Sequence, residues 1–244
     1  MQFSSSFRPG SRPVSRAVSR PVSCFLAAVA LAACVPAHAE LVTSPAEMGS
    51  GLLVQTFDEV FDTSTARVQI GASLGADVGV AARNGPLLMG APFGAWSLGS
   101  NGEWTSARSF VGVDGGLDDA GNIGTLVFDF GGQTVSQVGA VLNFDPDFTY
   151  GFGLPLPIYI AAYGLDGTLL DSYELPVFTP GAVDEGAFYG IRLATASIAR
   201  FEVSGPYAVV DDLSFSQPVP EPGTWALMAA GLAALAVAQR RQRR

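Results

Sequence analysis

The chain has 244 residues, of which 13 are basic and 22 acidic; it contains no lysine, and its formal net charge is −9. Both cysteines and the single histidine precede residue 40, which excludes from the rest of the chain a Ser-His-Asp triad, a Cys-His pair, a Schiff-base lysine and the conventional zinc, haem and iron–sulfur sites. Between residues 40 and 217, five arginines oppose 21 acids, a net charge of 5 − 21 = −16, so we expect no nucleic-acid partner because phosphates would be repelled.

Residues 1–39 have the organisation of a secretion signal. Four arginines between residues 8 and 20 give a positive n-region, residues 22–33 form an apolar h-region, and Ala37-His38-Ala39 is a small-x-small site for signal peptidase. Residues 31–34 also match a lipoprotein signal, in which Cys34 would be lipidated. We favour cleavage after Ala39, because a C-terminal anchor would make the lipid redundant. Both routes imply export.

Residues 40–217 are predicted to form one all-β extracellular domain. The segment is rich in Gly, Val, Phe and Tyr, and turn signals recur about every ten residues. Apolar residues alternate with period two, for example at Leu126, Phe128 and Phe130, which places them on one face of a strand. We predict a single antiparallel β-sandwich of roughly eight to twelve strands, with no long helix in this domain.

Three local patterns refine this prediction. Asp166-Gly167 is expected to form a hairpin turn between strands over residues 158–165 and 168–175. In the last strand, Val209, Leu213 and Phe215 are expected to share one face. Residues 83–123 are rich in Gly, Asn, Ser and Asp, and we expect a long loop region with one or two strands in it.

Trp96 and Trp104, within this loop region, are candidate ligand-binding residues. A large aromatic side chain on a loop offers flat apolar area on which a sugar ring can stack. The alternative is that both side chains close the ends of the sandwich core, since tryptophan is usually well buried.

The order of segments over residues 52–216 resembles that of galactose-binding-like jelly-roll modules, many of which bind carbohydrate. The resemblance rests on Gln55-Thr56-Phe57-Asp58 near the start, residues 124–130 and 138–140 in the middle, and residues 210–215 at the end. It implies a jelly-roll-like sandwich in which the first and last strands are neighbours.

That neighbourhood would bring together Asp58, Glu59, Asp211 and Asp212, four candidate ligands of a structural Ca²⁺ ion. Calcium binds several hard oxygens, which carboxylates and backbone carbonyls supply. The alternative is that these acids end strands and face water. A second acidic segment, residues 114–122, lacks the EF-hand spacing and is predicted to be a solvated turn.

The last 27 residues form a three-part tail. Prolines keep residues 218–222 extended, because proline fixes φ and has no backbone N–H to donate. Residues 223–238 are a predicted transmembrane helix of about 24 Å, short against a hydrocarbon core of about 30 Å. In the basic end, residues 239–244, Arg240, Arg241, Arg243 and Arg244 would hold the cytoplasmic side.

This tail resembles the PEP-CTERM signal of Gram-negative bacteria, a tail type also labelled an ice-binding protein C-terminal domain. The resemblance implies that Pro220, Glu221 and Pro222 are recognised by the membrane peptidase exosortase, so they are residues of a substrate. It also implies an intermediate anchored in the inner membrane, followed by delivery to the cell surface or extracellular matrix. The alternative is a membrane anchor that is never cut.

Three functions remain open at this stage. We favour a non-catalytic, surface-sorted protein associated with the envelope or exopolysaccharide, for which carbohydrate binding is one candidate activity. The first alternative is a carboxylate-only glycoside hydrolase; Asp145 and Asp147 are close in sequence, although a polar turn is the favoured interpretation of that pair. The second alternative is a purely structural or adhesive surface protein.

Overall fold

The computed structural model describes residues 39–58, 67–91, 109–113, 123–143, 158–175 and 186–219, together with residues 231, 232 and 239. Within these ranges it contains thirteen strands, one more than the upper end of the expected number, and two short 3-10 helices, Pro45–Met48 and Ala72–Leu74. The strands are β1 (Glu40–Val42), β2 (Leu53–Gln55), β3 (Val68–Gln69), β4 (Gly79–Arg83), β5 (Leu87–Ala91), β6 (Phe110–Val113), β7 (Thr125–Asp129), β8 (Gln137–Asn143), β9 (Ile158–Tyr163), β10 (Leu169–Leu175), β11 (Ala187–Arg192), β12 (Arg200–Ser204) and β13 (Val209–Phe215).

The strands form two antiparallel sheets. The seven-stranded sheet has the order β1-β11-β8-β13-β6-β5, and β2 pairs with β13 beside this path. The six-stranded sheet has the order β10-β9-β12-β7-β4-β3. Every strand pair in both sheets is antiparallel, so the predicted all-β, antiparallel class is confirmed.

Phenylalanine side chains join the two sheets into a sandwich. Phe128 of β7 packs between Phe57 and Phe201, with ring centroids 6.5 and 6.3 Å away. Phe130, directly after β7, contacts Phe215 of the opposite sheet at 5.4 Å. All five side chains are fully buried. The predicted common face of Leu126, Phe128 and Phe130 is therefore confirmed as part of the core.

The prediction that Val209 shares a face with Leu213 and Phe215 is wrong. Val210 lies in the main core with Leu213 and Phe215, whereas Val209 belongs to a separate cluster with Leu88, Phe110 and Tyr207. The pairing of β13 with β8 shifts between Asp211 and Ser214, and Asp212 has a φ of 49°. Such a bulge inserts an extra residue into the strand. Residues before and after it that are separated by an even number of positions therefore point to opposite faces of the sheet.

The predicted hairpin joins β9 and β10, but its loop is longer than Asp166-Gly167 alone. The Gly167 N–H donates to the Gly164 carbonyl at 3.0 Å, and the Gly164 N–H donates to the Thr168 carbonyl at 2.9 Å. Gly167 has a φ of 79°, a conformation that glycine adopts without strain. Within residues 83–123, the described ranges contain the end of β4 and the strands β5 and β6, and the rest of the expected loop region lies outside the described residues.

Within the described ranges, no helix is both long and apolar enough to cross a membrane. The predicted transmembrane segment, residues 223–238, falls outside the described residues except for Gly231 and Leu232, which are helical. The transmembrane helix therefore stays a prediction.

Tyr173 of β10 links one edge of the six-stranded sheet to the start of the domain. Its hydroxyl lies 3.2 Å from the Ala39 carbonyl oxygen and 2.9 Å from Oδ2 of Asp171. Partial burial, followed by the hydrogen bond to and charge of Asp171, raises the pKa of Tyr173 from its ordinary value to about 12.

We predict a loss of stability at alkaline pH that depends on Tyr173. Because its pKa is higher in the folded state, the contribution is complete below the unfolded pKa of about 10 and falls as pH rises toward about 12. Tyr173→Phe should weaken this loss, measured as the change in urea midpoint between about pH 9 and about pH 11. An equal change in both proteins would contradict the assignment.

Candidate functional site

The outer face of the six-stranded sheet carries a lattice of small and charged side chains. Period-two alternation turns three residues each of β4, β7 and β12 away from the core. The pairing of these strands aligns them in three rows across the sheet. The rows are Arg200, Asp129 and Gly79; Glu202, Val127 and Ala81; and Ser204, Thr125 and Arg83.

An open pocket of about 430 Å³ lies on this face. Its floor consists of Gly79, Ala81 and Val127, and its charged lining consists of Arg67, Arg83, Arg200 and Asp129. Glu202 lies in the middle row, between the row of Arg200 and the row of Arg83. It contacts both of these arginines. We call the group of Arg67, Arg83, Arg200, Asp129 and Glu202 the arginine patch.

Glu202 is the buried carboxylate of the arginine patch. Its side chain is only 8% exposed, and its Oε1 receives the Arg83 Nη2–H hydrogen bond and lies 2.8 Å from Arg200 Nε. The Arg200 contact is an ion pair without hydrogen-bond geometry. A buried carboxylate requires such partners, because an unpaired charge inside a protein is strongly unfavourable. Two guanidinium groups thus share one carboxylate, which leaves a surplus positive charge.

Arg200 is also oriented by an aromatic ring. Its guanidinium carbon lies 4.2 Å from the ring centroid of Tyr163, the residue directly opposite it on β9. A guanidinium over an aromatic face is attracted by the ring quadrupole. Tyr163 and Glu202 together fix Arg200 along the sheet surface.

Arg67 covers the opposite side of the pocket. Its Nη2 lies 3.3 Å from Oδ1 of Asp77 and 3.4 Å from Oδ1 of Asp129, and its Nη1 donates to Oε1 of Gln69 at 3.0 Å. The side chain passes over Gly79, where an added Cβ would lie 2.3 Å from Arg67 Cζ. The glycine therefore provides the space that Arg67 occupies.

The predicted calcium ligands are only partly described. The strand that precedes Asp58, β2, pairs with the last strand, β13, as expected, whereas the first strand, β1, pairs with β11. Asp58 is exposed, Asp212 is half-buried, and Asp211 is buried with its Oδ1 accepting the Asp212 N–H at 2.7 Å. Glu59 lies outside the described residues. Among the described ranges, no group of three or more His, Cys, Asp or Glu side chains is placed to hold a metal ion, so the Ca²⁺ site stays a prediction.

Several other predicted residues lie outside the described part of the chain. They are Ala37 at the signal cleavage site, Trp96, Trp104, Asp145, Asp147, the sorting residues Pro220, Glu221 and Pro222, and the basic residues Arg240, Arg241, Arg243 and Arg244. Their proposed roles remain those of the sequence interpretation.

Comparison with known protein families identifies a sorting motif at the end of the chain. Residues 218–244 match the model of the PEP-CTERM protein-sorting motif. The chain carries a PEP-CTERM sorting tail. This tail indicates that the protein is secreted, is processed by exosortase and reaches the surface of a Gram-negative bacterium. No curated protein sequence matches the chain.

Sequence reasoning missed the arginine patch. Arg67, Arg83 and Arg200 are separated by many residues, and no short motif joins them. One signal was available: each lies at or beside a strand end, and only five arginines occur between residues 40 and 217.

We predict that Arg83 and Arg200 stabilise Glu202 in a non-additive way. Arg83→Gln or Arg200→Gln alone should cost about 0–1 kcal/mol, because the remaining arginine still pairs with the carboxylate. The double substitution should cost about 1–3 kcal/mol more than the sum, because it leaves a buried charge unpaired.

Urea unfolding of the four proteins measures this coupling energy. Arg192→Gln is the matched control, since Arg192 pairs with the exposed Glu40 in the other sheet. Additive losses would show that Glu202 does not depend on the two arginines together.

Proposed function

We propose that this chain is an exported, surface-sorted, non-catalytic protein whose β-sandwich binds an extracellular polysaccharide. The PEP-CTERM tail supports delivery to the cell surface, through an intermediate anchored in the inner membrane. The observation that supports binding is the arginine patch, an open pocket with a small-residue floor on an exposed sheet face. An open sheet face suits an extended polymer better than a small molecule, which usually requires an enclosing cavity.

The composition and the patch together favour binding over catalysis. Residues 40–217 contain no histidine, cysteine or lysine, so carboxylates are the main candidates for acid–base chemistry. The two carboxylates of the patch, Asp129 and Glu202, each contact arginine side chains. A glycosidase requires one carboxyl group to donate a proton and a second at a set separation across a cleft. No feature of the described face supports that arrangement.

The proposal predicts retention without cleavage. The protein, purified after export from a bacterium that processes it, should co-sediment with the surface polysaccharide of that bacterium. Release of reducing ends should not exceed that of the polysaccharide alone. Sustained release of reducing ends would support the hydrolase alternative, and the absence of any binding would support a purely structural or adhesive role.

A further inference from the structure

We propose that the arginine patch recognises an oxyanion, a carboxylate or a sulfate ester, on the sugar units of an acidic polysaccharide. This inference rests on the proposed function and names its ligand class and contact residues. Guanidinium groups suit this task, because their planar N–H donors match the two oxygens of a carboxylate or sulfate.

The distribution of charge is the first argument. Residues 40–217 carry a net charge of 5 − 21 = −16, yet three of the five arginines in that range belong to the patch. Asp77 and Asp129 both contact Arg67, so the three arginines and their three acidic partners sum to 3 − 3 = 0. Within this set, Arg83, Arg200 and Glu202 have a net charge of 2 − 1 = +1. An anionic group is therefore favoured beside Arg83 and Arg200 and disfavoured on the acidic remainder of the domain, which favours a local and oriented contact.

The unused donor capacity of the arginines is the second argument. A guanidinium carries five N–H donors. In the described part of the chain, Arg83 donates one hydrogen bond, to Glu202, and is 52% exposed. Arg200 is 32% exposed and held flat by Tyr163 and Glu202. Arg83 is thus held by Glu202, Arg200 is held by Glu202 and Tyr163, and the exposed part of each guanidinium group is accessible to a ligand.

The shape of the floor is the third argument. Gly79, Ala81 and Val127 project little from the sheet, so a sugar ring can approach the backbone between the arginines. Glu202 does not contact the ligand in this arrangement. It is a positioning residue, because its carboxylate brings Arg83 and Arg200 to the same side of the pocket.

Binding of the exported, processed protein to defined polymers tests this proposal. Polygalacturonate carries carboxylates, dextran sulfate carries sulfate esters, and dextran is neutral. We expect retention on one or both acidic polymers, weakening as salt rises, and no retention on dextran. The relative affinity for the two acidic polymers identifies which oxyanion the patch prefers.

Substitutions assign this binding to the patch. Arg83→Gln/Arg200→Gln should weaken it about tenfold or more, whereas Arg192→Gln on the other sheet should leave it unchanged. A third protein, Arg83→Gln/Arg200→Gln/Glu202→Gln, also replaces the buried carboxylate. Any loss of binding in this protein cannot be caused by a buried carboxylate without a partner. Circular dichroism verifies that each variant is folded.

The outcomes separate this inference from the proposed function. Unchanged affinity of the folded triple variant, or equal binding of dextran, would overturn the arginine patch as the oxyanion site while leaving polysaccharide binding intact. Failure to bind any polysaccharide, including that of the host, would overturn the proposed function itself. A third outcome is that the wild-type protein binds no polymer but self-associates, and that the triple variant does not self-associate. The partner of the patch would then be the acidic surface of a second copy.

A separate observation concerns the exit of the sorting tail from the sandwich. Val219 and Thr134 form an isolated antiparallel bridge, in which the Val219 N–H donates to the Thr134 carbonyl at 2.8 Å and the Thr134 N–H donates to the Val219 carbonyl at 3.1 Å. The preceding Ser216 donates its N–H to the Gln137 carbonyl at 3.1 Å. The chain is therefore attached to the sandwich up to the residue before Pro220.

We infer that this bridge restrains processing of the tail. Proteases commonly bind their substrates as extended strands through backbone hydrogen bonds, so a segment paired with its own fold is a poor substrate. The recognition residues begin at Pro220, with no spacer after the bridge. Access of exosortase then requires local opening of the Val219–Thr134 pair.

Pulse-chase labelling of the full chain in a bacterium that contains exosortase tests this inference. Val219→Pro removes the N–H donor of the bridge and should shorten the lifetime of the tail-bearing form several-fold. Val219→Thr retains the N–H and the β-branched shape, so its lifetime should match that of the wild type. A flexible Gly/Ser spacer of about eight residues between Val219 and Pro220 should act like Val219→Pro without changing the recognition residues. An unchanged or longer lifetime with the spacer would overturn the inference.

Discussion

Apolar packing between the two sheets is the interaction on which this structure depends. No cysteine follows residue 34, so no disulfide can staple the exported domain. Phe128 and Phe130, from one sheet, meet Phe57 and Phe215, which belong to or border the other, in the fully buried layer between them. Because the stability of the sandwich is provided by this inner layer, the outer face of the six-stranded sheet is available for charged residues.

The outer face of the six-stranded sheet contains a carboxylate, that of Glu202, which is buried among charged neighbours. The Glu202 side chain lies on the outward face of its strand yet is only 8% exposed, and both Arg83 and Arg200 contact its carboxylate. The carboxylate is compatible with burial only because Arg83 and Arg200 converge on it, and it in turn holds them over the pocket floor. One buried acid therefore converts scattered arginines into a defined surface. That arrangement is the physical basis of the anion recognition that we propose for this strongly acidic protein.

The sequence predicts the inner layer better than the outer one. Alternation at Leu126, Phe128 and Phe130 identifies a core face, because burial repeats every second residue in a strand. It fails at Val209, because the bulge at Asp212 changes the phase and arises from the pairing with β8. The arginine patch was missed, since its residues are adjacent only through strand order, and strand order is determined by long-range pairing. The sorting tail, in contrast, is a local pattern within 27 residues and needs no fold to be recognised.

The patch and the tail lie close together in the fold. Asp129 belongs to the patch and Thr134 to the bridge that holds Val219, and the two are five positions apart in the chain, so their Cα atoms are at most about 18 Å apart. The Arg67 and Asp129 side of the pocket is therefore near Val219, the residue directly before the recognition residues of the sorting tail. Under the function proposed above, a tail held in a membrane would bring that membrane close to the patch. Release of the tail would then free this side of the pocket for a polymer, which would link the sorting step to the binding step.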